Sequence, residues 1–356
     1  MFTLILLGFP QLEVSRGLPL AIFFDVMKLS FAVIAGVGGV VALVVAYRRQ
    51  LVAEATSKLE HAKEERERDR VLNERFGSAA TQIGSDQPTV QLAGVYAMAA
   101  LADDWPEQRQ TCINVLCGFL RMPYQPAPGP DGPVAERTAF AQHRNVRHTV
   151  IGIICDHLNP GAQGPLWHDC HFDLSGAVFD GGNFSWAVVP EGCSLNFLGA
   201  KFVAGTTDFY RLRCHGGVAN FWGVEFLGGE VRFWGAEFLS GGFGECTFSG
   251  GKVDFGSKQM GGGELWTTVF AATDTRFLRS KFTGAEVLFT GVAIRSGRIS
   301  FDGAEFSGGK VDFAGVRIEE GAELDFSNAS VWTTPPAHLP TSAPQVKLPR
   351  SSGSQG

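Results

Sequence analysis

Large apolar residues recur through the second half of the chain at fixed, short and odd intervals. Phe197, Phe209, Phe221 and Phe233 stand at every twelfth position, as do Phe277, Phe289, Phe301 and Phe313. A second track of Phe270, Phe282, Ile294, Phe306 and Ile318 runs at the same period, so the interleaved steps alternate five and seven. Two stretches step by five without interruption: Phe233, Phe238, Phe243, Phe248, and Phe255, Met260, Leu265, Phe270. An odd step sends successive side chains to opposite faces of an extended chain. Keeping every Phe inside therefore requires a turn between each one and the next.

The neighbours supply the means. Two residues before most of these positions the side chain is small or β-branched, as at Ala177, Ala200, Thr207, Ala219, Val224, Val231, Cys246, Val287, Ile299 and Val311. Positions i and i−2 share a face, so each unit is a very short strand with two side chains inward and one, such as Glu225, Arg232, Glu237, Lys281, Glu305 or Asp312, outward. Gly223, Gly235, Gly303 and Gly315 follow their Phe by two, and the seven-residue steps carry the pairs Gly228-Gly229, Gly250-Gly251 and Gly308-Gly309. Glycine makes positive φ cheap at such turns. Of 29 Phe in the chain, 21 lie between Phe172 and Phe326, with 29 of the 45 Gly, so the bias belongs to one repeated unit and a separate domain precedes it.

In its tandem A-x-F-x-G units the chain resembles the pentapeptide-repeat family, and the stretch F-x-G-A-x-F-x-G-G-x-V-x-F at 301–313 is similar to the Phe-rich bacterial branch of it. The resemblance covers 172–326. It implies a right-handed quadrilateral β-helix with Phe stacked in ladders. The segment LAGVYAMAALADDWPEQRQTCINVLCGFLR is also similar to the helical module that precedes the repeats in membrane-anchored members. Four sides of five would give coils of 20, whereas alternating five and seven gives 24; the latter predicts six coils and a stack of about 30 Å at ~4.8 Å per coil. A flat two-sided coil of 12 is the alternative, and would stack Phe301 on Phe313. Looser pattern at 185–196 and around Lys258 reads as bulged loops.

The N-terminal part carries an address. Leu29 to Tyr47 contains no charge, and at 1.5 Å per residue its 19 residues span about 28 Å as a helix. Arg48, Arg49, Lys58, Lys63, Arg66, Arg68 and Arg70 follow it, while only Arg16 and Lys28 precede it, so the positive-inside rule places the C-terminal bulk in the cytoplasm. Upstream, the apolar pieces Phe2–Phe9 and Leu18–Phe24 are short, and the reading leaves open whether they form a second membrane segment. Ala32, Gly36 and Val40 form a small-residue face compatible with a weak homodimer in lipid. Positions 48–76 mix eight basic with seven acidic residues up to Arg75, a solvated helix continuing the anchor.

Three helical runs at 77–160 form a small module: one with Asp86 as cap and Pro88 in its first turn, one around Cys112 to Leu120, and one with Val146, Val150, Ile153 and Ile154 on a face. Asp103 and Asp104 read as a helix end rather than a catalytic pair. His143, Arg144, Arg147 and His148 read as a solvated basic face, with an anionic partner as the lesser option. The tail at 333–356, rich in Pro and Ser, reads as disordered.

Chemistry-bearing motifs are sparse. Seven cysteines without a C-x-x-C pair suit a reducing compartment, with Cys170, Cys214 and Cys246 in packing positions. His168, Cys170 and His171 resemble a metal cluster only in spacing, since Cys170 points inward. No nucleophile elbow, P-loop or zinc-protease motif occurs. No catalytic, cofactor or metal residue is assigned, and the chain is read as not an enzyme. Trp222 and Trp234 each follow a central Phe and sit at coil corners, which makes them the candidate partner contacts; Phe197, Phe209, Phe221, Phe233, Phe277, Phe289, Phe301 and Phe313 are the structural ladder. The expected organisation is an N-terminal segment at 1–28, a transmembrane helix at 29–47, a charged helix at 48–76, the module at 77–160, the repeat β-helix at 166–332 and the tail. Its expected role is a scaffold tethered to the bacterial cell membrane, presenting a surface to an unknown cytoplasmic protein. The alternative is the DNA mimicry of some family members, which act on DNA gyrase. A mimic needs a continuous acidic stripe, and the 20 acidic and 13 basic residues at 169–332 interrupt it. With a net charge of −6 the chain is not a generally basic nucleic-acid binder.

Overall fold

The computed structural model describes residues 20–349 apart from 126, 260 and 262. Contacts divide the chain after Val71 into two units. Helix α1, Leu20–Ile83, runs unbroken for 64 residues and contains a stretch long and apolar enough to cross a membrane. The apolar pieces before Leu20 lie outside the described residues, and so does the open question of a second segment there.

Unit 2 begins within the last turns of α1, where Leu72, Ala79 and Ile83 are buried. They pack into a module with α2 (Pro88–Asp104), α3 (Arg109–Arg121) and α4 (Val134–Leu158). Pro88 opens α2 as expected, because the first turn needs no N–H from it. Its N-cap is Gln87 rather than Asp86, and no side chain caps it. Gly94 lies so close to α1 that a Cβ would meet the Ile83 nitrogen and the Gln82 side chain.

From His171 the chain winds into a parallel β-solenoid of short strands. It visits four ladders in fixed order. One runs His171–Asp173, Ser194–Asn196 and Val218–Asn220, passes a bridge at Gly242, and resumes at Asp274–Arg276. The longest ladder has seven strands, from Val178–Phe179 to Val331–Trp332. Where the coil is regular it closes on the twenty-fourth position, as predicted: Lys201 pairs with Glu225, and Lys281 with Glu305. Phe277 stacks on Phe301 at 4.9 Å and 12°, whereas Phe301 meets Phe313 edge-on at 82°. The flat two-sided coil is thereby overturned, and the track of every twelfth position splits into two ladders. One holds Phe197, Phe221, Phe243, Phe277 and Phe301, stacked at 4.9–5.1 Å. The other holds Phe209, Phe233, Phe255, Phe289 and Phe313, stacked at 4.6–5.0 Å. Between ladders the rings meet edge to face, as Phe209 does with Phe221 at 5.5 Å and 83°. Each such ring is fully buried, which stabilises by about 2–3 kcal/mol, and aromatic pairing adds roughly 0.5–1.5 kcal/mol.

Seven rungs stand where six were expected. The uninterrupted five-residue run shortens one coil by two positions, so that Phe226 stacks on Phe248 and not on the glycine that a regular coil would present. The next coil is long: Thr247 pairs with Lys281. Ten extra residues between Phe255 and Phe270 leave the wall as a hairpin, in which Lys258–Gln259 pairs antiparallel with Leu265–Trp266. Phe270 nevertheless returns to stack on Phe238, while Leu265 is exposed. Met260 lies outside the described residues.

Outward positions follow two rules. Along the ladders, residues in register carry opposite charge, as in Lys201–Glu225 at 3.0 Å, Lys310–Glu286 at 2.9 Å, Lys252–Glu230 at 3.2 Å and Arg213–Glu237 at 3.9 Å. Before the stacked Phe of the other corners the side chain turns back instead. Asp254 accepts the Gly256 N–H at 2.8 Å, Asp312 that of Ala314 at 2.9 Å, and Asn220 that of Trp222 at 3.1 Å. Asp312 therefore does not simply face solvent.

The tail contradicts the expectation of disorder through its described part. Ala337 donates to Val311 O at 2.8 Å, and Val346–Lys347 forms a strand on Glu323–Asp325. Leu339 and Val346 pack on the core. These residues lie over the last coil, whose unpaired backbone groups they satisfy.

Candidate functional site

The predicted contact tryptophans do not share a corner. Trp222 follows Phe221 in one stacked ladder and Trp234 follows Phe233 in the other. Trp222 lies half-buried across Gly244, where any Cβ would strike its ring. That contact lays the indole along the wall, half-buried as Trp234 is, but without the aromatic and cationic neighbours of Trp234 described below.

Trp234 belongs to a larger constellation. Its ring stacks on Tyr210 at 5.1 Å and 5°, with the Arg232 guanidinium at 5.3 Å and the Lys258 ammonium at 5.0 Å from its centroid. Trp266, on the hairpin, meets Tyr210 at 6.0 Å and Trp186 edge-on at 5.7 Å. Arg211 lies over the Trp186 ring at 4.8 Å, is 5.6 Å from that of Trp266, and pairs with Glu264 at 2.8 Å. Trp186 and Arg211 hold φ of 67° and 51° at the corner position that Gly235 occupies one rung later. A bulky residue with positive φ costs roughly 1–3 kcal/mol and persists only where surrounding contacts hold it. Here the contacts are those of the two residues with each other and with the hairpin.

Beside this cluster the hairpin and the wall enclose a groove of about 410 Å³. Its charged lining is Arg211, Glu237, Glu264, Arg295, Arg317 and Glu319. Trp234 was legible in the sequence; Trp186, Tyr210, Trp266 and Arg211 were not, because only the coil register and the returning hairpin bring them together. The hairpin itself left a signal, the loosened pattern around Lys258.

The basic stretch of α4 is a correction. Arg147 is buried and donates to Leu120 O at 2.9 Å and Val178 O at 2.7 Å, with its guanidinium 4.2 Å from the Tyr124 ring centroid. Arg144 Nε, His148 Nε2 and Tyr124 Oη converge on the Asp180 carboxylate at 2.8, 3.1 and 2.8 Å. Burial works against ionisation of Asp180, but hydrogen bonds from His148 and Tyr124 and the charge of Arg144 outweigh it and hold its carboxyl below the usual range. The stretch thus joins module and first coil through Arg144, Arg147 and His148, of which Arg147 is buried, and does not stand free as a solvated face.

Other reactive side chains are similarly employed. Asp103 accepts the Trp167 indole N–H at 2.8 Å and lies 3.3 Å from His157 Nε2, while Asp104 pairs with Arg75 at 2.9 Å. His168 Nε2 bonds Leu158 O and His171 Nδ1 bonds Ser194 Oγ, so the two rings serve different elements. Cys170 is buried beside Asp169, and Cys214 and Cys246 occupy core positions. Burial pushes the thiols of Cys170, Cys193 and Cys214 up to about 12, leaving them protonated. Among the described residues no group of His, Cys, Asp and Glu forms a metal-binding set. No family model, curated protein or solved structure matches the chain.

Proposed function

We propose that the protein is a membrane-tethered, non-catalytic scaffold of the pentapeptide-repeat type. On this reading Leu29–Tyr47 spans the bacterial cell membrane once, the basic flank holds the bulk in the cytoplasm, and the solenoid is a right-handed quadrilateral β-helix. One observation carries the choice of surface: the Trp186, Tyr210, Trp234 and Trp266 cluster, built where, among the described residues, a hairpin interrupts the coil. Aromatic and arginine side chains on a rigid frame are the usual anchors of protein recognition. Insertions in a repeat array map to binding surfaces for the same reason. The DNA-mimic alternative needs continuous negative charge, whereas the carboxylates of the walls alternate with basic partners rung by rung.

A photocrosslinking residue at Trp234 in intact cells should trap a cytoplasmic protein, while one at Trp222 should not. Equal trapping at both would refute the assignment of the surface. A C-terminal tag should resist protease in spheroplasts until the membrane is opened; digestion beforehand would refute the cytoplasmic placement.

A further inference from the structure

We propose that the base of the hairpin docks an acidic peptide segment of a partner protein, with Lys258 and Arg317 receiving its carboxylates. The inference rests on the scaffold reading and names what that surface takes. Across the described solenoid the cations are neutralised in place. Lys201, Arg213, Lys281, Arg295 and Lys310 pair with Glu on the neighbouring rung, and Arg232, Lys252, Arg276, Arg279, Arg298 and Lys347 are likewise held by carboxylates. Arg211 has Glu264. Of the Lys and Arg among the described residues from His171 to Pro349, Lys258 and Arg317 alone have no carboxylate partner.

Both reach the returning side of the hairpin at adjacent residues, Trp266 and Thr267, and Arg317 also lines the groove. Lys258 is opposite Trp266 in the hairpin register, with its ammonium 5.0 Å from the Trp234 ring. Arg317 is exposed, and its guanidinium reaches only the Thr267 hydroxyl, at 3.4 Å. The groove's own carboxylates are matched: Glu237 lies 3.1 Å from His215 and 3.9 Å from Arg213, Glu264 has Arg211, and Glu319 has Arg295. The charged lining of the groove balances, three Arg against three Glu, so what complements a negative partner is the pair of cations without a carboxylate, Lys258 and Arg317.

The surroundings select a peptide over a free anion. Trp186 is 42% exposed and Leu265 54% exposed beside the cations, which suits apolar side chains alternating with acidic ones. Among the described residues the hairpin forms a two-stranded sheet, whose edges suit addition of an extended segment.

The test uses the full chain in nanodiscs and a short fluorescein-labelled peptide alternating Glu with Leu, read by anisotropy. The Lys258→Gln/Arg317→Gln double variant should bind at least roughly tenfold more weakly, the loss of two charge-assisted contacts. Lys310→Gln, which removes a cation already paired with Glu286, should leave binding unchanged. Inorganic phosphate should compete no better than sodium chloride of equal ionic strength. Absence of binding, equal weakening in Lys310→Gln, or specific competition by phosphate would each overturn the proposal. Trapping at Trp234 in cells together with no peptide binding would refute this inference and leave the scaffold reading standing.

Discussion

Gly229 and Gly223 hold almost the same φ, 71° and 67°, yet their surroundings differ. A Cβ on Gly229 would sit 2.5 Å from the Gly205 carbonyl oxygen of the coil below, whereas on Gly223 the nearest atom is 3.7 Å away. Gly223→Ala should cost about 1 kcal/mol, the conformational term alone, and Gly229→Ala about 3 kcal/mol or more, by urea denaturation. The distinction separates the seven-residue steps from the five: a pair of glycines fits where the coil presses on the one beneath. Asp180 supplies a second residue-scale prediction. Its folded carboxyl is depressed, so its contribution is fully present above the unfolded value near 4 and is lost as pH falls through the folded one. Asp180→Asn should lower stability at pH 7 by about 2 kcal/mol and flatten the decline of stability below pH 5. The i, i−2 alternation was readable because it depends on adjacent residues. The role of Asp180 was not, since Tyr124, Arg144 and His148 reach it from 56, 36 and 32 positions away.

Among the elements, the hairpin is the one that the repeat did not predict as such. Phe255 and Phe270 are both in phase with the core although the step between them is three times the usual five, because the chain between leaves and returns at the same corner. Deleting 257–266 would join Gly256 to Thr267 and restore a five-residue step, with Thr268 still bonding Phe233 O inside. The deletion should fold with an unchanged far-UV spectrum, since loop length itself carries little free energy, but lose roughly 1–3 kcal/mol, because Trp186 and Arg211 keep their positive φ without the Trp266 and Glu264 contacts. Loss of the fold would show that the hairpin is part of the wall. Helix α4 teaches the converse lesson: His143, Arg144, Arg147 and His148 have the composition of a solvated surface, yet Arg144, Arg147 and His148 bond the first coil and His143 packs on Phe119 and Tyr124.

At the scale of unit 2 the decisive problem is the two ends of an open stack, whose strands would otherwise offer unpaired edges. At the first, the Gln110 side chain both donates to His171 O and accepts from His171 N, at 2.7 and 2.8 Å, as a neighbouring strand would. At the other, the segment from Thr333 to Pro349 lies on the last coil, with the Lys347 carbonyl accepting from Phe326 N at 2.7 Å. A chain ending at Pro335 should self-associate as concentration rises, by light scattering, where the full chain does not; a truncated chain that stayed monomeric would refute the capping role. The sequence alone determined the interior and corners of the solenoid, because side-chain alternation and positive φ are properties of a few consecutive residues. Tertiary structure decided the rest: that the track of every twelfth position divides into two ladders, that the Pro-rich tail is a cap, and that Trp186, Tyr210, Trp234 and Trp266 meet. Each of these joins residues a coil or more apart, where only the register of winding brings them into contact.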